Sequence, residues 1–181
     1  MPQLFYVIGA SGVGKDALMN YARAKINGAM PVIFAHRYIT RLPKEGNENH
    51  IYVSPEEFFG RRERNLLAFH WESHGLYYGI GQEIFTWMEN GFHVVLNGSR
   101  EYLPTARQLY PGLVAVLIEA DPDIIRKRLE SRGRENKAEI EKRLLRKPDV
   151  QYSTADLLHI RNDGLLKEGG DALIDAIAAF P

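Results

Sequence analysis

Apolar positions along the chain fall into two patterns. Residues 4–8 (LFYVI), 93–96 (HVVL) and 113–118 (LVAVLI) are unbroken runs too short for helices, the pattern of strands buried on both faces in the middle of a parallel sheet. Residues 157–161 (LLHIR) predict a last strand before Asn162-Asp163-Gly164. Between these runs the grammar is helical. Residues 16–25 predict a helix after a glycine loop, and 82–90 one closed by Gly91. Residues 104–110 predict another, Asp121-Pro122 opens one running through Glu130 and broken at Gly133, and 138–147 and 171–180 follow. The middle differs. Residues 32–39 are strand-like, 42–49 (LPKEGNEN) read as a loop, and Ser54-Pro55-Glu56-Glu57 is an N-cap followed by proline and first-turn acids. Residues 66–71 and 77–81 predict two strands around a turn at His74-Gly75. Alternating strands and helices at both ends, with a strand-rich centre, predict a parallel α/β core carrying an inserted, partly antiparallel subdomain.

Composition narrows the classes. The 181 residues are 45% hydrophobic and 25% charged, as expected of one globular domain. Zero cysteine excludes disulfides, thiolate catalysis and cysteine-ligated zinc, and fits a reducing cytoplasm. Lysine and arginine (23) equal aspartate and glutamate (23), which argues against a bulk nucleic-acid binder. No apolar run is long enough to span a bilayer, and no export leader is expected at the N-terminus.

The sharpest motif is Gly9-Ala10-Ser11-Gly12-Val13-Gly14-Lys15, a G-x-x-x-x-G-K sequence between a predicted strand and a predicted helix. Its glycines let the backbone turn tightly, the helix N-terminus favours anions, and Lys15 is placed to reach the β- and γ-phosphates of ATP. The next residue departs from the pattern: Asp16 stands where a serine or threonine hydroxyl ordinarily ligates Mg²⁺. An acid is at home in a first helical turn. Beside a polyphosphate it would be repelled without a cation between them, so Asp16 is the metal candidate. His70 and His74 lack supporting ligands and read as ordinary histidines. Phe69, Trp71 and Tyr77 read as one aromatic cluster packing the small subdomain.

Further strings resemble the guanylate kinase family of nucleoside monophosphate kinases: Thr40-Arg41, Gly46 to Glu48, Val53-Ser54 leading into Glu57-Phe58, Tyr77-Tyr78-Gly79, and Arg128 through Arg132-Gly133-Arg134. The resemblance spans nearly the whole chain. It implies a P-loop parallel sheet flanked by helices, with core 1–31, 82–125 and 148–181, an acceptor-binding insert at 32–81, and an arginine-rich lid at about 126–147. It departs where guanine is read: the family's base-facing glutamate falls at about Phe69, and an acidic pair falls at about Asn97 and Ser99. The strings His36-Arg37-Tyr38-Ile39-Thr40-Arg41, Glu48-Asn49-His50, Gly75 to Gly79, Asn97-Gly98-Ser99-Arg100 and Arg132 to Asn136 are similar instead to a family of ATP-dependent sugar-bisphosphate kinases of phosphonate metabolism. That resemblance implies transfer of a phosphoryl group from ATP to the 1-phosphate of ribose 1,5-bisphosphate, giving 5-phosphoribosyl 1-diphosphate.

Such a reaction needs positioning and charge neutralisation more than a base, because a phosphate monoester is already ionised near neutral pH. Residues 126–147 hold ten cations against four acids. Many would be a solvated helix face with pairs such as Glu139–Arg143, and Arg128, Arg132, Arg134 and Arg143 are the expected ATP and lid contacts. Arg37, Arg41 and Tyr78 are expected on the acceptor phosphate, with His50 near it. Arg100 is expected on the 5-phosphate, and Asn97 and Ser99 on ribose hydroxyls. Asn97 and Asp16 together suggest that a negative charge facing Mg²⁺ has moved from strand to loop. Two alternatives remain: a nucleotide kinase of altered base preference, which the missing acids oppose, and a non-catalytic binding module of the same fold, which Lys15, Arg132 and Arg134 oppose.

Overall fold

The computed structural model describes residues 1–42, 50–133, 136–145 and 156–180. Its larger sheet has five parallel strands in the order β2-β7-β1-β8-β9: β1 Leu4–Gly9, β2 Val32–Phe34, β7 His93–Asn97, β8 Val114–Glu119 and β9 Leu157–Arg161. The unbroken apolar runs are these strands, and the period of two sorts each onto two faces. Phe5 and Val7 of β1 face the helices α1 (Lys15–Ile26), α5 (Pro122–Arg132), α6 (Lys137–Leu145) and α7 (Leu166–Ala178). Leu4, Tyr6 and Ile8 face α3 (Glu83–Glu89), α4 (Leu103–Leu109) and part of the smaller sheet. All five strands are parallel, so their carboxyl ends share one edge of the sheet.

The smaller sheet has the order β4-β3-β6-β5, from β3 Arg37–Ile39, β4 His50–Tyr52, β5 Leu67–Ser73 and β6 Leu76–Gly81. The β5–β6 hairpin turns through His74 (φ 54°) and Gly75 (φ 72°), both left-handed, as a two-residue turn matched to strand twist requires. Helix α2 (Pro55–Glu63) starts as its sequence promised: the Ser54 hydroxyl accepts the Glu57 N–H at 3.1 Å. Its Phe58 joins Val53 and Leu67 in a small core of its own.

Three expectations are corrected. The strand expected over 32–39 is two strands in two sheets, broken at Ala35-His36: β2 pairs with β7, whereas β3 pairs with β4 and β6. Both segments are apolar enough for a strand, and only their different partners separate them. Strand β4 was not foreseen, because residues 50–52 (HIY) are a short, half-exposed stretch that gains strand form by pairing beside β3. Helix α7 begins at Leu166, five residues before the expected start, and contains Gly169-Gly170. These glycines look like a break, but they let α7 press onto α1: a Cβ at Gly169 would stand 3.0 Å from Leu18, and one at Gly170 would collide with the Tyr21 ring. The loop expected at 42–49 lies outside the described residues beyond Leu42, as do residues 146 and 147 of the helix expected over 138–147. Among the described residues no helix is long and apolar enough to cross a membrane.

His93 begins β7 buried beside Phe5, ring centroids 5.8 Å apart, and its Nδ1 accepts the Gln3 N–H at 2.9 Å. Burial, and then the N-terminal amine, hold its pKa below the ordinary histidine value, against a hydrogen bond to the Phe180 backbone. The unfolded chain therefore takes up this proton first, so the associated stability is present at neutral pH and is lost as pH falls. The urea midpoint should drop between about pH 7 and pH 5, and His93→Gln should flatten part of that drop. An unchanged pH slope in the variant would exclude His93 as a source.

Candidate active site

The glycine loop leaves β1 where Gly9 pairs with Ile118 of β8, and enters α1 at Lys15. Gly12 (φ 86°) and Gly14 (φ 98°) are left-handed, and their surroundings close on them. A Cβ at Gly12 would sit 2.9 Å from Leu129, and one at Gly14 2.5 Å from the Asn162 amide nitrogen. No side chain caps α1, so first-turn N–H groups are left to face the loop. The Lys15 ammonium folds back over the loop, donating to the carbonyls of Gly9 at 2.8 Å and Ala10 at 3.3 Å.

Two side chains brace the loop from behind. Asn162, buried just past the end of β9, donates to the Val13 carbonyl at 2.8 Å. The Arg128 guanidinium, from α5, donates to the same oxygen at 3.2 Å. Arg128 was expected near ATP, and it stands at the loop that is to hold the phosphates. Asn162 was missed. Its only signal was a place after a predicted strand, which reads equally well as a turn.

Asp16 and Asn97 meet. Asn97 ends β7, in register with Val7, and is buried; its Nδ2 donates to Asp16 Oδ1 at 2.7 Å. The Asn97 Oδ1 is buried without a hydrogen-bond partner among the described residues. Gly98, Ser99 and Arg100 follow at the same edge, the last two partly buried ahead of α4. Asn97, Ser99 and Arg100 thus lie along the edge that also holds the glycine loop, where open α/β sheets bind ligands.

On the smaller sheet, Arg37 lies over the Tyr78 ring, its Cζ 5.4 Å from the centroid. Tyr78 stacks on Trp71 with centroids 5.6 Å apart and planes 3° from parallel, and Trp71 meets Tyr102 at 5.6 Å. The guanidinium is therefore set against a rigid aromatic stack. Arg41 follows β3, and the His50 Nε2 is 2.9 Å from its carbonyl oxygen. With the proton on Nε2 donated to that carbonyl, the buried Nδ1, which has no hydrogen-bond partner among the described residues, is an acceptor. In this arrangement His50 holds the backbone of Arg41. Thr40, next to it, is clamped to Tyr77: its N–H donates to the Tyr77 carbonyl at 3.1 Å and its hydroxyl accepts the Tyr77 N–H at 3.0 Å.

The aromatic cluster needs correction. Tyr77 lies on the other face of β6 from Tyr78 and packs on Phe58 and Phe59, whereas Phe69 and Trp71 share their cluster with Tyr78, Tyr102 and Tyr6. Neighbouring tyrosines on a strand must part company in this way. Arg134 lies outside the described residues, as do the side chains of Arg132 and Arg143 and the acceptor-loop residues 43–49. Within 126–147, Arg126 joins α5 to α6 through Glu141 at 3.1 Å and pairs with Asp123, so it belongs to helix packing.

Among solved structures, a guanylate kinase from Anaplasma phagocytophilum superposes with a TM-score of 0.69 at 15% identity, covering 98% of this chain and 85% of that one. That likeness shows a guanylate-kinase-like fold. No protein-family model matches the chain. The curated relatives are more specific. The protein named ribose 1,5-bisphosphate phosphokinase PhnN from Thiobacillus denitrificans is 47% identical over 176 residues, 97% of this chain and 93% of its own length. Its namesake from Desulfomicrobium baculatum is 49% identical over 177 residues, covering 98% and 95%, and that from Psychromonas ingrahamii 47% over 176 residues, covering 97% and 89%. The chain belongs to the ribose 1,5-bisphosphate phosphokinase family.

Replacing Asn162 by Ala removes a buried donor and leaves the Val13 carbonyl to Arg128 alone. Stability should fall by about 1–3 kcal/mol, read from urea unfolding, and calorimetric titration should show weakened ATP binding. Unaltered ATP affinity would show that the brace serves folding only.

Proposed function

We propose that the chain transfers the γ-phosphoryl group of ATP to the 1-phosphate of ribose 1,5-bisphosphate. An oxygen of that phosphate attacks the γ-phosphorus, the bond to the bridging oxygen breaks, and ADP leaves with that oxygen and its charge. The products are 5-phosphoribosyl 1-diphosphate and ADP. The acceptor oxygen is already ionised, so the protein's work is to bring two polyanions together.

The observation that carries this reading is the bond from Asn97 to Asp16. At a position where the guanylate kinase pattern has an acid that serves the base or the metal, this chain has an amide committed to the phosphate loop. At the other base-reading position, Phe69 is fully buried against the rings of Tyr6 and Tyr102. A purine edge would find no carboxylate at either place, and unmet buried polar groups are expensive. The names borne by the relatives support the same acceptor. We assign the glycine loop, Lys15 and Arg128 to ATP, and Arg132, Arg134 and Arg143 to a lid formed by residues of about 126–147. Arg37, Arg41 and Tyr78 are assigned to the 1-phosphate, with His50 fixing Arg41, and Arg100 and Ser99 to the 5-phosphate end. The small sheet is then the acceptor-binding part. An enzyme that draws on ATP and a free sugar bisphosphate belongs in the cytoplasm.

Mg²⁺ fits the residues present. Asp16 follows the phosphate-loop lysine and offers the carboxylate oxygens a hard cation prefers, and the Asn97 amide that bonds it has an Oδ1 with no hydrogen-bond partner among the described residues. When bound, the ion neutralises charge between the carboxylate and the polyphosphate. Asp16 would hold it, and Asn97 fixes the carboxylate's orientation.

A coupled ADP-release assay offering ribose 1,5-bisphosphate and GMP separately should give turnover with the sugar alone. Turnover with GMP alone would replace this reading with a nucleotide kinase, and no turnover together with no ATP binding would leave a binding module. Asp16→Ser should raise the Mg²⁺ concentration for half-maximal rate about tenfold, and adding Asn97→Asp should recover part of the loss. If the single substitution leaves the Mg²⁺ dependence unchanged, the carboxylate does not hold the metal.

A further inference from the structure

Tyr6 sits on the central strand between Phe5 and Val7, and its own face of β1 is otherwise filled by Leu4 and Ile8. It is fully buried, with its ring edge-on to Phe69 at 6.1 Å. Phenylalanine would supply that packing without burying a hydroxyl, which is unfavourable unless it is hydrogen-bonded. The hydroxyl is bonded twice, both times to the main chain of Ser99. It accepts the Ser99 N–H at 3.0 Å and donates to the Ser99 carbonyl at 3.3 Å. The ring face carries Gly98, where any Cβ would collide with it. Burial pushes the phenol well above its ordinary range, against the hydrogen bond to the Ser99 backbone, so the group stays a neutral O–H able to do both.

The turn after β7 is thus pinned at two successive points. Asn97 is tied sideways to Asp16 at the phosphate loop, and Ser99 is tied downward to Tyr6. We propose that Tyr6 is a positioning residue for the acceptor: its hydroxyl fixes the Ser99 backbone, and through it the 99–100 segment that receives the far end of the sugar bisphosphate. This rests on the acceptor assignment above. The tyrosine touches neither substrate. It sets where Ser99 and Arg100 stand relative to Arg37, and therefore the span between the two acceptor phosphates the cleft accepts.

The test is Tyr6→Phe, which keeps the ring and removes the oxygen, with Gly98→Ala as a second variant that displaces the turn from above. For Tyr6→Phe the KM for ribose 1,5-bisphosphate should rise about tenfold while the KM for ATP and kcat stay within about twofold. Amide exchange at Ser99 in the ligand-free protein, followed by NMR, should quicken about tenfold or more, with β1 amides unchanged. Gly98→Ala should give the same split in KM. A Ser99 amide as protected as in the wild type would overturn the proposal, and so would equal rises in both KM values, the mark of general loosening. Should the wild type fail to use ribose 1,5-bisphosphate, the acceptor assignment falls, and Ser99 exchange still decides whether the phenol holds the turn.

Discussion

Five parallel strands ending on one edge deliver whatever follows each of them to the same crevice, and the remainder of the site depends on that geometry. Gly9, Asn97, Glu119 and Arg161 are separated by up to 152 positions in sequence, yet their strands sit side by side in register. The segments after them therefore become neighbours: the glycine loop, the 98–100 turn, the start of α5 and Asn162. A helix N-terminus placed at that edge makes the crevice attractive to anions before any side chain is considered. The smaller sheet carries Arg37 and leads into Arg41, which suits the proposed task, whose chief obstacle is mutual repulsion between polyanions.

Within that frame, the backbone around the candidate site is held by side chains that reach it from other elements. Val13 is held by Asn162 and Arg128, Ser99 by the Tyr6 phenol, Thr40 by Tyr77, and the Arg41 carbonyl by His50. Each of these partners is distant in sequence or lies on another element. The pattern accounts for buried polar residues in an otherwise apolar interior. Asn97 and Asn162 are two of the three buried polar side chains among the described residues, and both act on the phosphate loop or the residue just after its lysine. The third, His93, is held by main-chain groups near the two ends of the chain.

Four of the five strands of the large sheet, the glycine loop and the capped start of α2 were legible in the sequence because each rests on local physics: apolar runs, left-handed glycines, a serine before proline. The errors share one cause as well. Residues 32–39 look continuous because both halves suit a strand, and nothing local says that they pair in different sheets. Residues 50–52 carried no expected element because their strand form comes from a partner. Gly169-Gly170 looks like a helix break because its compensation, close approach to Leu18 and Tyr21, lies on another helix.

The candidate site divides along the same line. Sequence by itself determined the residue types of the chemistry: a phosphate-binding loop with lysine, an acid in place of the usual hydroxyl, and arginines in the acceptor and lid segments. Their assignment to phosphate, acceptor and lid is the proposal above, and it follows from spacing within a few residues and from a resemblance carried by short strings. Only the tertiary structure decided that Asn97 bonds Asp16, that Asn162 braces Val13, that His50 turns to a backbone carbonyl, and that Tyr77 leaves the cluster Tyr78 joins. Those are contacts between groups from 9 to 149 positions apart, or between faces of one strand, and no local preference encodes them. They exist because parallel strand order and packing against a sheet bring the groups together, and hydrogen bonds then hold them where water is excluded.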